Sequence, residues 1–95
     1  MLILLYKETV GSYEAALPYI EKGEKVVEIM YDDNWFPSAR EITAENYDAI
    51  VAEAYETRSF PQLCCAVSIF QNDSIVSVPK GTYEIAIVKG MYDED

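Results

Sequence analysis

The sequence predicts an α+β fold in which a mainly antiparallel sheet of four or five strands packs one face on one amphipathic helix. Three observations predict it. Apolar side chains recur at helical spacing through Ala44–Thr57. Short runs of alternating or continuous apolar residues stand on either side of it, bounded by Gly, Pro, Asn and Asp. The stretch after Cys64 reads as a meander, whose short turns join antiparallel neighbours. At 95 residues the chain has room for a single compact acidic domain, residues 1–95, with a modest core and little space for a deep enclosed pocket.

Taken in order, Met1–Lys7 reads as a strand of more apolar character than alternation requires. It suits a central strand covered on both sides, or an edge at a dimer interface. Gly11 turns the chain, and Ser12 is placed to cap a helix over Tyr13–Leu17. Pro18 disfavours helical geometry at Leu17, so Ser12–Glu21 is either a short helix or an irregular apolar arm. Lys25–Tyr31 alternates as a strand, with Val27, Ile29 and Tyr31 on one face and Val26, Glu28 and Met30 on the other. Asp32-Asp33-Asn34 ends it, and Trp35-Phe36-Pro37-Ser38 forms a loop.

The helix over Ala44–Thr57 is the clearest element. Thr43 suits its N-cap, and Glu45 favours the positive end of the helix dipole. Tyr47, Ile50, Val51, Ala54 and Tyr55 fall within about 140° of the helical wheel, and Glu45, Asp48, Glu53 and Glu56 lie opposite. Arg58 is a base at its C-terminal end, and Pro61 prevents continuation. Strands then follow at Cys64–Phe70, Ile75–Val78 and Thr82–Lys89, separated by turns at Gln71-Asn72-Asp73 and Pro79-Lys80-Gly81. The first and last strands are natural candidates to pair, and Tyr92–Asp95 is expected to fray.

Charge narrows the function classes. Seven Lys and Arg stand against 17 Asp and Glu, a formal net charge of -10. Such a chain is a poor ligand for nucleic acid, whose backbone is bound by Lys and Arg, and for anionic membrane surfaces. The expected partner is a basic protein surface, foremost that of a nucleic-acid-binding enzyme. The acids are spread along the chain, so the negative field belongs to the folded surface. The apolar start has no basic residues before it and is far shorter than a membrane span. Cys64 and Cys65 are adjacent, unsuited to a mutual disulfide or a CxxC motif. A reduced, cytoplasmic protein is the reading that follows.

Catalytic chemistry finds little support. The absence of histidine removes the usual general base, His-dependent triads and His-containing metal sites. Asp32-Asp33 at a strand end, and Glu41, Glu45 and Asp48 one turn apart, could supply oxygens, but no EF-hand spacing accompanies them. The glycines do not cluster into a phosphate-binding loop. No enzyme activity, cofactor or metal is therefore expected.

Acids and aromatics together form the constellation that carries most meaning. Eight tyrosines exceed the needs of one small core, and tyrosine is favoured at contact surfaces. Trp35 and Phe36, adjacent in a loop, either fold back to plug one end of the core or form a contact site. Around them stand Asp32, Asp33, Glu41, Glu45, Asp48, Glu53 and Glu56. In size, charge and the spread of its acids the chain resembles small acidic DNA-mimic inhibitors carried by phages and mobile elements. That resemblance implies occupation of a basic nucleic-acid-binding groove on a partner protein. The alternative is a small adaptor or structural subunit that binds protein through an aromatic patch around Trp35 and Phe36. A homodimer is compatible with either.

Overall fold

The computed structural model describes residues 2–57 and 61–90. The expectations for Arg58 and for fraying of Tyr92–Asp95 fall outside them. Along the described chain run β1 (Leu2–Tyr6), β2 (Glu8–Val10), α1 (Tyr13–Glu21), β3 (Val26–Tyr31), β4 (Pro37–Ile42), α2 (Tyr47–Thr57), β5 (Gln62–Cys65), β6 (Ser68–Gln71), β7 (Ser74–Val76), β8 (Thr82–Glu84) and β9 (Ile87–Gly90). The α+β class and the mainly antiparallel pairing are as the sequence predicts, but the strands divide between two sheets. One is ordered β7-β6-β1-β9 and the other β2-β5-β3-β4-β8. The β1–β9 pair is parallel, joining Ile3–Tyr6 to Ile87–Gly90, so the first and last strands do meet.

The division arises because the chain steps from one sheet to the other four times. Lys7 separates β1 from β2, Ala66 and Val67 separate β5 from β6, residues 77–81 separate β7 from β8, and Ile85 and Ala86 separate β8 from β9. Ala66 makes its step in the left-handed region, at φ 54°, and its N–H bonds the Lys25 carbonyl at 2.9 Å. At the last step the N–H of Ile85 bonds Pro37 O in one sheet, and that of Ala86 bonds Leu2 O in the other. The expected continuous strands at Cys64–Phe70 and Thr82–Lys89 are therefore each cut in two. Asn72 and Asp73, both at positive φ, form the two-residue turn that sharp antiparallel hairpins favour.

Both helices differ in extent from expectation. Ser12 caps α1 as predicted, its Oγ accepting from Ala15 N at 3.1 Å, yet the helix runs through Pro18 to Glu21. Proline removes only its own N–H, and the carbonyl it would have bonded belongs to exposed Glu14, which water can satisfy. Packing of Tyr13, Ala16, Tyr19 and Ile20 on the core outweighs that loss. The helix ends at Gly23, at φ +84°, where Glu24 N bonds Tyr19 O and Gly23 N bonds Ile20 O, the paired bonds of a Schellman cap. Thr43 caps a turn ahead of α2, in reciprocal hydrogen bonds with Asn46. Within α2, Ile50 and Ala54 are buried, Tyr47 and Val51 half-buried and Tyr55 exposed.

The layers are helices, five-stranded sheet, four-stranded sheet. The five-stranded sheet is buried on both faces. Val26, Ile42, Leu63 and Cys65 meet Tyr13, Ala16, Ile50 and Ala54 of the helices. Val27, Ile29, Ala39 and Cys64 meet Leu4, Ile69 and Ile85 on the side of the four-stranded sheet. Cys64 and Cys65 thus point to opposite faces, both fully buried and free. Burying side chains such as Leu4, Ile29 and Ile69 contributes roughly 1.5–3 kcal/mol each.

Candidate functional site

A first feature that packing does not explain is the tip of the β3–β4 hairpin. Tyr31, Trp35 and Phe36 are 47%, 79% and 69% exposed. Trp35 and Phe36 therefore do not plug the core. The register aligns Tyr31 with Pro37, which carries the intervening residues beyond the end of the sheet. The rings of Tyr31 and Trp35 lie 6.2 Å apart, tilted by 53°, within the range of a favourable aromatic pair.

Asp32 holds this loop in shape. Its Oδ1 accepts from Asn34 N at 2.8 Å and Phe36 N at 2.9 Å. Its own backbone donates to Phe36 O and accepts from Trp35 N. An Asp side chain that replaces backbone partners in this way is a turn-former. Trp35 sits at φ 63°, a region costly for a bulky side chain. A strained, exposed tryptophan on a hydrogen-bonded loop is a side chain that the fold displays and does not use. Beside it lies an open groove of about 870 Å³, walled by Phe36, Pro37, Leu2, Tyr83 and Ile85, with exposed Glu84 on its margin.

The other candidate acids are distributed. Asp33 is exposed beside the aromatic tip, and Glu45, Asp48 and Glu56 are exposed on or just ahead of α2. Glu41 is half-buried and paired with Lys25 Nζ at 3.4 Å, and Glu53 lies 3.3 Å from Arg40 Nη1. The hairpin tip thus brings together Asp32, Asp33, Trp35 and Phe36, whereas Glu45, Asp48, Glu53 and Glu56 belong to the α2 side, and Glu41 lies on the opposite face of β4, the one that carries Ala39.

Sequence reasoning missed a buried polar network on the helix side of the five-stranded sheet. Glu28, 2% exposed, accepts from Tyr13 Oη at 3.0 Å, from Arg40 Nε at 3.2 Å and from Arg40 Nη2 at 2.7 Å. Burial, reinforced by the Glu28 carboxylate, pushes the Tyr13 hydroxyl well above its ordinary range. A carboxylate occupied by three donors in this way is a packing element, its burial offset by the groups that hold it. The signal was a Glu alternating with core valines in β3; its Arg40 partner sat in a strand that composition does not announce. Tyr19 donates to Glu8 Oε2 at 2.8 Å, and that hydrogen bond, with desolvation, raises its hydroxyl to about 12. Burial raises Cys64 to about 12 and likewise raises Cys65, so neither thiol is disposed to act as a nucleophile at neutral pH.

No group of three or more His, Cys, Asp or Glu side chains among the described residues is arranged to hold a metal ion. No described helix is long and apolar enough to cross a membrane. No family model matches the chain, and no curated protein or solved structure matches it.

Proposed function

We propose that this domain is a small adaptor or structural subunit that binds a protein partner through Tyr31, Trp35 and Phe36 at the β3–β4 tip. The observation that carries the reading is Trp35, 79% exposed and held at φ 63° by a loop pinned through Asp32. Exposed aromatics on a pre-ordered loop lose little conformational freedom on binding, which is the property of interface anchors. The adjoining groove would receive an apolar side chain of the partner, and Asp33 and Glu84 supply a polar, negative rim.

A second reading rests on the exposed acids of the α2 side. Glu45, Asp48 and Glu56 would meet a basic nucleic-acid-binding surface, as in the DNA-mimic inhibitors. The two readings differ in salt response, because exposed charge pairs weaken as the Debye length falls from about 10 Å at 0.1 M to about 3 Å at 1 M. The test is partner capture on immobilised protein at low and high salt, with the wild type, a Trp35→Gly/Phe36→Ser variant and a Glu45→Lys/Asp48→Lys/Glu56→Lys variant. The adaptor reading expects retention at high salt that the aromatic variant abolishes. A partner released by salt, lost in the charge variant and displaced by DNA would instead establish mimicry.

A further inference from the structure

The four-stranded sheet has an outward face that the helices do not reach, since both pack on the far side of the five-stranded sheet. Strand alternation decides what that face carries. Leu4, Ile69 and Val88 turn inward to the core, so Ile3, Leu5, Phe70, Ile75 and Ile87 turn outward. The register places Ile75 beside Phe70, Phe70 beside Ile3, and Ile3 beside Ile87. This makes an unbroken apolar row across all four strands. Ile75 is 71% exposed and Ile87 47%; Phe70 and Ile3, between them, are half-buried by their neighbours.

We propose that this face is where two copies of the chain pack, sheet on sheet. The argument for a second copy is charge. The chain carries 17 acids, yet none lies in β1, β6, β7 or β9, whose single charged side chain is Lys89. The five-stranded sheet, by contrast, includes Glu8, Glu28, Glu41 and Glu84. Two bodies of net charge -10 repel wherever acids face each other, and this acid-free face lets them touch with least repulsion. A cationic partner would gain nothing from such a clearing.

Size sets the strength. Four strands about 4.8 Å apart and some four residues long present roughly 300 Å² of flat sheet per copy. Two copies therefore bury on the order of 600–900 Å² of accessible surface, below the ~1,200 Å² of a stable specific complex. The association is accordingly weak and reversible. Salt strengthens it, because screening removes repulsion between the acidic remainders while the apolar contact persists.

The test is sedimentation equilibrium from about 10 to about 500 µM protein, at about 0.05 M and about 0.5 M sodium chloride. The expected result is a mass that rises with concentration, and rises further at the higher salt. Ile75→Glu/Ile87→Glu should abolish the rise, whereas Trp35→Gly should leave it intact, which separates this face from the aromatic tip. Both isoleucines are exposed, and circular dichroism checks that the charged variant folds. Independently of any variant, the methyl resonances of Ile3, Ile75 and Ile87 should shift with concentration while those of Ile29 and Ile50 stay fixed. A monomer throughout, an association unaffected by Ile75→Glu/Ile87→Glu, or one that salt dissolves would overturn the proposal.

Discussion

Trp35 offers the sharpest separation between a side chain kept for the fold and one kept for contact. At 79% exposure, about one-fifth of a side chain of ~250 Å² is covered. That is ~50 Å², worth ~1.3 kcal/mol at 25 cal/mol per Å², and the tilted ring pair with Tyr31 adds about 0.5 kcal/mol. Against this stands the left-handed backbone, which costs a non-glycine residue roughly 1–2 kcal/mol. Trp35→Gly removes both sides of the balance and should change stability by no more than about 1 kcal/mol, where a packed tryptophan truncated to Ala loses about 3–5 kcal/mol. Trp35→Ala loses the contacts but keeps the backbone cost, so it should fall below Trp35→Gly by about 1 kcal/mol. For a domain of this size that is about 4–8 °C in melting temperature. The assay is thermal and urea unfolding of the three proteins, followed by circular dichroism because the variants lack the single tryptophan. In the wild type, the emission of Trp35 should be that of water-exposed indole, nearly unchanged on unfolding. An alanine variant as stable as the glycine variant, or a loss above about 2 kcal/mol in Trp35→Gly, would refute the reasoning.

The remaining predictions concern buried groups. Arg40→Leu strands the Glu28 carboxylate, 2% exposed, and should cost about 3–5 kcal/mol in urea unfolding. Glu28→Leu/Arg40→Leu should recover a large part of it, and a double variant worse than the single would contradict the account. At alkaline pH, burial raises Cys64 from 9.0 to about 12 and Tyr83 from 10.0 to about 12. The unfolded chain therefore sheds these protons first, so the stability they contribute is whole below about pH 9 and is lost as pH rises toward about 12. A urea midpoint that stays flat from pH 8.5 to about 11.5 would argue against it. Both thiols should be inert to a disulfide reagent at about pH 8 in the native protein and react at the rate of unfolding; prompt labelling of either would place a cysteine at the surface.

Much of the fold is legible where one periodicity dominates. The helix stripe of Ile50 and Ala54, the two faces of β3, the Asn72-Asp73 turn and the meeting of first and last strands all follow from spacing and turn chemistry. What escaped is of a different kind. β4 reads Pro-Ser-Ala-Arg-Glu-Ile, with only Ala39 and Ile42 buried, so its strand character comes from neighbours on both sides and not from composition. Losing β4 also hid Arg40, and with it the partner of Glu28. The two-sheet division escaped because three of the four steps, at Lys7, Ala66–Val67 and Ile85–Ala86, lack the glycine or proline that usually marks a break, while the fourth, over 77–81, reads as an ordinary turn through Pro79 and Gly81. At the aromatic tip the residues could be named from sequence, but their direction depended on Asp32 bonding back into its own loop.

The central place of β1 has a consequence for how the chain is made. Its antiparallel partner lies at Ser68–Gln71 and its parallel partner at Ile87–Gly90. During synthesis Leu2-Ile3-Leu4-Leu5 therefore leaves the ribosome long before either neighbour exists, with open edges and two apolar faces. A short, uncharged, β-prone segment waiting in that condition is prone to pair with the same segment of another nascent chain. The yield of folded protein should consequently depend on how crowded synthesis is, and a chaperone that shields this strand would matter more here than the modest size of the domain suggests.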